Sequence, residues 1–165
     1  MPMNSVNDAL VQGLRSSKMM LRRYSEDLKP EEYLHRVTPK ANCVAWLIGH
    51  LTLTDRRFCG LLNGSDRLPK LPEGFEKRFS RDEGCPQASE FGDTSNLLAV
   101  FDQNRDVLID LAAKATPEQL NKPVENPRPV FSTPGEAMVF AAVHTMLHVG
   151  QITLIRRNLG RPPLS

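Results

Sequence analysis

The chain holds four histidines, and two of them, His144 and His148, stand four residues apart in the run His-Thr-Met-Leu-His. On a helix that spacing projects both imidazoles from one side, one turn apart, able to grip a single ion. His50, in Trp46-Leu47-Ile48-Gly49-His50-Leu51, lies on the inward stripe of a second helical pattern. A lone core histidine is ordinarily a hydrogen-bonded packing residue, and a pair at this spacing is common. A third inward ring shifts the balance, because each buried nitrogen left without a partner costs about 1–3 kcal/mol. One shared divalent ion satisfies a nitrogen on every ring. Three neutral imidazoles with no protein carboxylate suit zinc, nickel or iron(II). Three protein ligands also leave a position for water or substrate, the pattern of a reactive site. An ion there ionises water near neutral pH or holds a thiol as thiolate. The pair lacks the glutamate of His-Glu-x-x-His, which argues against a zincin-type peptidase. His35, among Glu31, Glu32 and Arg36, reads as a surface residue. Thr54, Arg57, Gln151 and Tyr24 are within reach of such a cavity, with ordinary packing or a solvated edge the preferred reading for each.

Four helical segments must position these rings, and no alternating run indicates a strand. The first spans about Asn4 to Leu28, with Val6, Leu10, Leu14, Leu21, Tyr24 and Leu28 on one face. The second is expected to begin at an Asn42 cap and to stop at Asn63-Gly64, the glycine taking the left-handed position. The third runs from about Thr94 to Ala115, where Asn104 and Arg105 interrupt the apolar stripe and are read as edge positions in preference to a polar cavity. The fourth opens on Thr133-Pro134-Gly135-Glu136, a threonine cap, an N1 proline and a capping-box glutamate, and ends before Gly160 and Pro162. Thr116-Pro117-Glu118-Gln119 forms a short turn. The long connection 65–93 is of a kind that is usually functional or mobile, and the stretch 121–132, with Pro123, Pro127 and Pro129, is expected to be extended.

Composition places the chain among ordinary soluble domains. It has 165 residues, 40% apolar and 24% charged, with a net charge of +2. Basic residues are dispersed except for short pairs, so there is no nucleic-acid footprint. The amino terminus lacks a basic region leading into an apolar segment, and the run Ala137–Val143 is too short for a bilayer, so neither a secretory signal nor a membrane partner is expected. Cys43, Cys59 and Cys85 are scattered and odd in number, unlike a disulfide framework. A cytoplasmic setting fits. The expectation is one all-α domain over 1–165, a four-helix bundle with long crossover loops.

Two segments carry a resemblance. Trp46-Leu47-Ile48-Gly49-His50-Leu51 is similar to the tryptophan-x-x-glycine-histidine-leucine signature of the DinB/YfiT-like metalloenzyme superfamily, the damage-inducible DinB-like proteins. His144-x-x-x-His148-x-Gly150-Gln151-Ile152, running into Arg156-Arg157-x-x-Gly160, resembles that family's closing helix. The resemblance implies an up-down-down-up bundle, commonly a homodimer, with a three-histidine site for zinc or nickel at His50, His144 and His148. Some relatives are metal-dependent transferases using a low-molecular-weight thiol such as bacillithiol, and others are mycothiol-dependent isomerases. It therefore points to a thiol S-transferase acting on an electrophilic small molecule. A non-enzymatic metal- or ligand-binding stress-response protein is the alternative, and a bundle whose histidines only pack is a third.

Overall fold

The computed structural model describes residues 5–81 and 85–164. Its long helices are α1 (Val6–Ser25), α3 (Val44–Leu61), α5 (Leu97–Lys114) and α7 (Pro134–Asn158). Short helices α2 (Pro30–Tyr33), α4 (Phe75–Phe79) and α6 (Pro117–Asn121) sit in the connections, and there are no strands among the described residues. Side-chain contacts give the directions. The Asn7 amide, early in α1, donates to the Ala112 and Ala115 carbonyls at the end of α5, so α1 and α5 are antiparallel. Arg156, late in α7, bonds the Tyr24 carbonyl and Asp27 beyond the end of α1, so α1 and α7 run together. Arg56 meets Asn104 while Gly64 lies against Leu111, which makes α3 and α5 parallel. Phe58 meets Phe140 while His50 meets His148, so α3 and α7 are antiparallel. The bundle is therefore up-down-down-up, as the family resemblance implied.

Local chemistry moves several boundaries from those expected. α1 begins at a Ser5 cap that accepts the Asp8 amide, and Asn4 lies outside the described residues. Val6, placed on the inner stripe by periodicity, is the first residue of α1 and is 68% exposed. Asn42 does not cap α3; the helix starts after Cys43, whose extended backbone occupies the cap position without a side-chain bond. At its other end Asn63, not Gly64, takes the left-handed conformation (φ 56°). The Gly64 amide then donates to the Cys59 carbonyl and that of Asn63 to Gly60, the paired bonds of a Schellman motif. Gly64 lies close against Leu111, whose side-chain end would have to move to admit a β-carbon there. Thr133 caps α7 as expected, but Glu136 accepts from the Ser132 amide and hydroxyl, one residue beyond the cap amide that a capping box uses.

The core is two apolar clusters separated by a polar layer. Leu21, Leu47, Leu51, Phe101, Val149 and Ile152 belong to one, and Leu14, Phe58, Leu108, Met138 and Ala141 to the other. Between them, at the same level on all four helices, lie Ser17, Asp55, Arg105 and Thr145, each at most 1% exposed. Arg105 donates through Nε and one terminal nitrogen to both Asp55 oxygens at 2.7 and 3.0 Å. It also bonds Ser17 Oγ and Thr145 Oγ1, each at 2.8 Å, and rests over the Phe101 ring at 5.0 Å. The edge positions expected for Asn104 and Arg105 are thus corrected: both are fully buried. A guanidinium can occupy the core when its donors are met by a bidentate carboxylate and hydroxyls from the other helices. Burial pushes the Asp55 carboxyl above its ordinary value, and the Arg105 charge pulls against it.

The cysteines are free; Cys59 stands apart, but Cys43 Sγ and Cys85 Sγ approach to 3.9 Å because the 65–93 crossover folds back on the start of α3. α7 as a whole is long and apolar enough, by length and composition, to cross a membrane, although its longest uninterrupted apolar run is not. Less than half of that window is buried, and Val139, Val143, Leu147 and Leu154 form an exposed apolar stripe along it.

Beyond α7, Arg161 ties the chain end to the opposite connection. Its guanidinium bonds both Glu32 oxygens at 3.0 and 2.5 Å, and also Asp27, which Arg156 grips as well. The Arg161 hydrogen bond, helped by the Lys29 amide, lowers the Glu32 carboxyl to about 2 from its ordinary 4.5. A carboxyl with a depressed folded-state pKa adds stability above its ordinary value and loses it as pH falls through the folded one. Arg161→Ala should therefore melt a few degrees below the parent at pH 7, with the gap closing between about pH 4.5 and 2. Thermal melts across that range test this, and a gap independent of pH would refute it.

Candidate metal centre

The site is built from α3 and α7 by the same device used twice. His50 stacks on Trp46, one turn earlier on α3, with ring centroids 4.8 Å apart and planes 5° from parallel. His144 stacks on Phe140, one turn earlier on α7, at 5.2 Å and 12°. Residues four apart share a helix face, and side chains lean toward the helix N-terminus, so the earlier aromatic supports the later imidazole. His148 follows His144 by another turn. Because α3 and α7 are antiparallel neighbours, the His50 ring meets the other two edge-on, with centroids 5.2 Å from His144 and 5.5 Å from His148.

Gly49 explains the residue before His50. It is buried, and a β-carbon there would overlap the Phe79 ring of α4. Phe79 consequently packs directly on the α3 backbone and walls the cavity beside His50. Alanine in a helix is ordinarily favoured over glycine by about 1 kcal/mol, whereas overpacking costs about 1–3 kcal/mol. Gly49→Ala is expected to be destabilising on balance. A thermal melt reads the sign, and a variant more stable than the parent would show the close approach to be unimportant.

The donor nitrogens of the three rings all lie within 4.8 Å of one another. His144 Nε2 and His148 Nε2 are 2.9 Å apart. A tetrahedral ion with bonds of about 2.0–2.1 Å holds its ligand nitrogens about 3.3–3.4 Å apart, so the cluster suits such an ion after small side-chain adjustments. His148 Nδ1 faces Gln151 Oε1 at 3.2 Å. With that oxygen accepting, Nδ1 carries the proton and Nε2 presents its lone pair toward the other rings. His144 Nδ1 is buried and without a hydrogen-bond partner among the described residues. Burial is the first cause holding all three imidazoles below their ordinary pKa, His50 at about 4 and His144 at about 3. A proton on His148 would next disfavour one on His50 or His144, and the nearby arginines Arg57, Arg81 and Arg105 act in the same sense. The rings are therefore neutral at ordinary pH, the state in which imidazole ligates a metal.

Over His50 and His144 opens a cavity of about 530 Å³, walled by Phe58, Phe79, Phe131 and Phe140 and rimmed by Arg57, Arg81 and Arg128. Of the residues weighed from sequence, Thr54 and Arg57 do line it, and the Thr54 hydroxyl also donates to the His50 carbonyl. Gln151 meets His148 instead, and Tyr24 packs against the apolar cluster away from the opening. His35 is half-buried, with Nε2 2.7 Å from Asn158 Oδ1, outside the cluster. Sequence inspection missed the phenylalanines and the outer arginines. Phe140 alone carried a signal, its four-residue spacing before His144.

Fold and site together define a class: a four-helix bundle with three convergent core histidines on two antiparallel helices. Residues 14–152 match the family model of the DinB superfamily, and the chain belongs to that superfamily. Comparison with the curated proteins gives no match.

Proposed function

We propose that His50, His144 and His148 hold one divalent transition metal, zinc or nickel before iron(II), and that the protein transfers a low-molecular-weight thiol to an electrophilic small molecule. The observation that carries this reading is the meeting of three neutral imidazoles, two of which, His50 and His144, line an open, aromatic-walled cavity. A bound ion would supply Lewis-acid chemistry, lowering the pKa of a thiol so that its sulfur is an anionic nucleophile near neutral pH. The chain's own residues present the lone pairs, orient His148 through Gln151, and exclude water with Phe79, Phe131 and Phe140. The sulfur would form a bond to the electrophilic carbon while the leaving group departs with its electron pair and the thiol proton goes to solvent.

A non-enzymatic metal- or ligand-binding role is the second reading, favoured by one observation: among the described residues no aspartate, glutamate or tyrosine lines the cavity to act as a general base. Element analysis of protein purified without a nickel column should find about one ion per chain. Conjugation of 1-chloro-2,4-dinitrobenzene with a panel of cellular thiols then separates the readings. A rate that needs both the metal and one particular thiol supports transfer; metal without any such rate supports binding alone. We further propose a homodimer closed over the exposed apolar stripe of α7, since a helix apolar on both faces calls for cover on both. Light scattering should give twice the chain mass, and Leu147→Glu should halve it.

A further inference from the structure

We propose that the cavity above the three histidines is a subsite for a small molecule with an apolar body and an anionic carboxylate or phosphate group, the anion being held by Arg57, Arg81 and Arg128. This deepens the reading of the cavity as a reaction site and rests on it only for the claim that the bound molecule is a substrate.

Three separate segments deliver these cations to one opening. Arg57 comes from α3, Arg81 follows α4, and Arg128 belongs to the 121–132 connection. Arg128 is held by a tight turn in which its amide donates to the Phe131 carbonyl at 2.8 Å and the Phe131 amide returns the bond at 3.2 Å. Phe131 in turn packs edge-on against Phe58 at 5.3 Å, anchoring the turn in the cavity wall. Among the described residues no carboxylate lines the cavity and none of the three arginines forms an ion pair. Five other arginines, Arg22, Arg67, Arg105, Arg156 and Arg161, are each paired with an aspartate or glutamate. Converging cations repel one another, and a low-dielectric wall focuses their field into the opening. Guanidinium groups match the planar, two-oxygen geometry of carboxylate and phosphate. The phenylalanines below them supply the apolar half of the site, and the volume suits a small organic molecule.

The test uses probes of one shape and different charge: 2-naphthoate, 2-naphthyl phosphate and the neutral 2-naphthalenemethanol, titrated calorimetrically into the metal-loaded protein and into metal-free His148→Ala. Both anions are expected to bind at least roughly ten-fold tighter than the alcohol at low salt, with the advantage shrinking as salt screens it. Arg57→Gln, Arg81→Gln and Arg128→Gln should each weaken anion binding by roughly 3–10-fold and leave the alcohol unchanged. The tighter of the two anions identifies the group the site prefers. Persistence of this pattern in metal-free His148→Ala upholds the subsite even if the metal reading fails. Equal binding of anion and alcohol, no binding of any probe, or anion binding that needs the metal and ignores all three arginine changes would overturn it. Thermal melts of the three variants, whose altered side chains are exposed, check that the fold is intact.

Discussion

Arg105→Ala and Asp55→Ala should each lower stability by about 3–5 kcal/mol, because each leaves its partner as an uncompensated charge in the core. On the scale of about 2–4 °C per kcal/mol for a chain of this size, that is a fall of about 6–20 °C in Tm. The pair is 0% and 1% exposed, so solvent cannot take over the lost contact. The double replacement Asp55→Leu with Arg105→Met should lose less than either single change, since apolar residues of similar volume substitute well for a buried ion pair. A double-mutant cycle by chemical denaturation measures the coupling. Singles that cost under about 1 kcal/mol would mean that the polar layer contributes little. The layer bears on the site as well. Thr145, which accepts from Arg105, is the neighbour of His144, and Asp55 is little more than one turn beyond His50. The hydrogen bonds that fix the four helices at this level thereby fix the register in which the three imidazoles meet.

His148→Ala should reduce bound metal from about one ion per chain to background while leaving the helical content intact. His148 is 8% exposed, carries the Gln151 contact, and lies with the other donor atoms inside the same 4.8 Å cluster. Removing one of three protein ligands also removes metal-dependent stabilisation, which at a hundred-fold excess over Kd amounts to about 2.7 kcal/mol. Added zinc or nickel should raise the Tm of the parent by about 5–10 °C and that of His148→Ala by almost nothing. Gln151→Leu keeps all three ligands but frees the His148 ring, and should weaken metal affinity about 10–100-fold. A parent protein that carries no ion and does not respond to added zinc or nickel would eliminate the centre.

Local sequence was enough for the features that depend on neighbours along the chain. The apolar period of α7, its threonine cap and N1 proline, and the four-residue step from His144 to His148 are all short-range, and each appears where expected. The Trp46-x-x-Gly49-His50 segment marked α3 as the second contributor. Caps misled by one or two residues, because Asn42 and Cys43, or Asn63 and Gly64, are nearly equivalent until the chain direction on either side is fixed. What periodicity does not encode is which other segment covers a given face. Arg105 looked like an edge residue because a charge in an apolar stripe is affordable only with partners, and those partners come from Ser17, Asp55 and Thr145 on three other helices. The same holds for the cavity. The antiparallel pairing of α3 with α7 brought His50 to the histidine pair, and the folding back of two long connections set Phe79, Arg81, Arg128 and Phe131 around it. Sequence thus determined the helices and nominated the ligands; only tertiary packing decided the depth of the polar layer, the shape of the opening and its charge, since those arise from contacts between residues far apart in the chain.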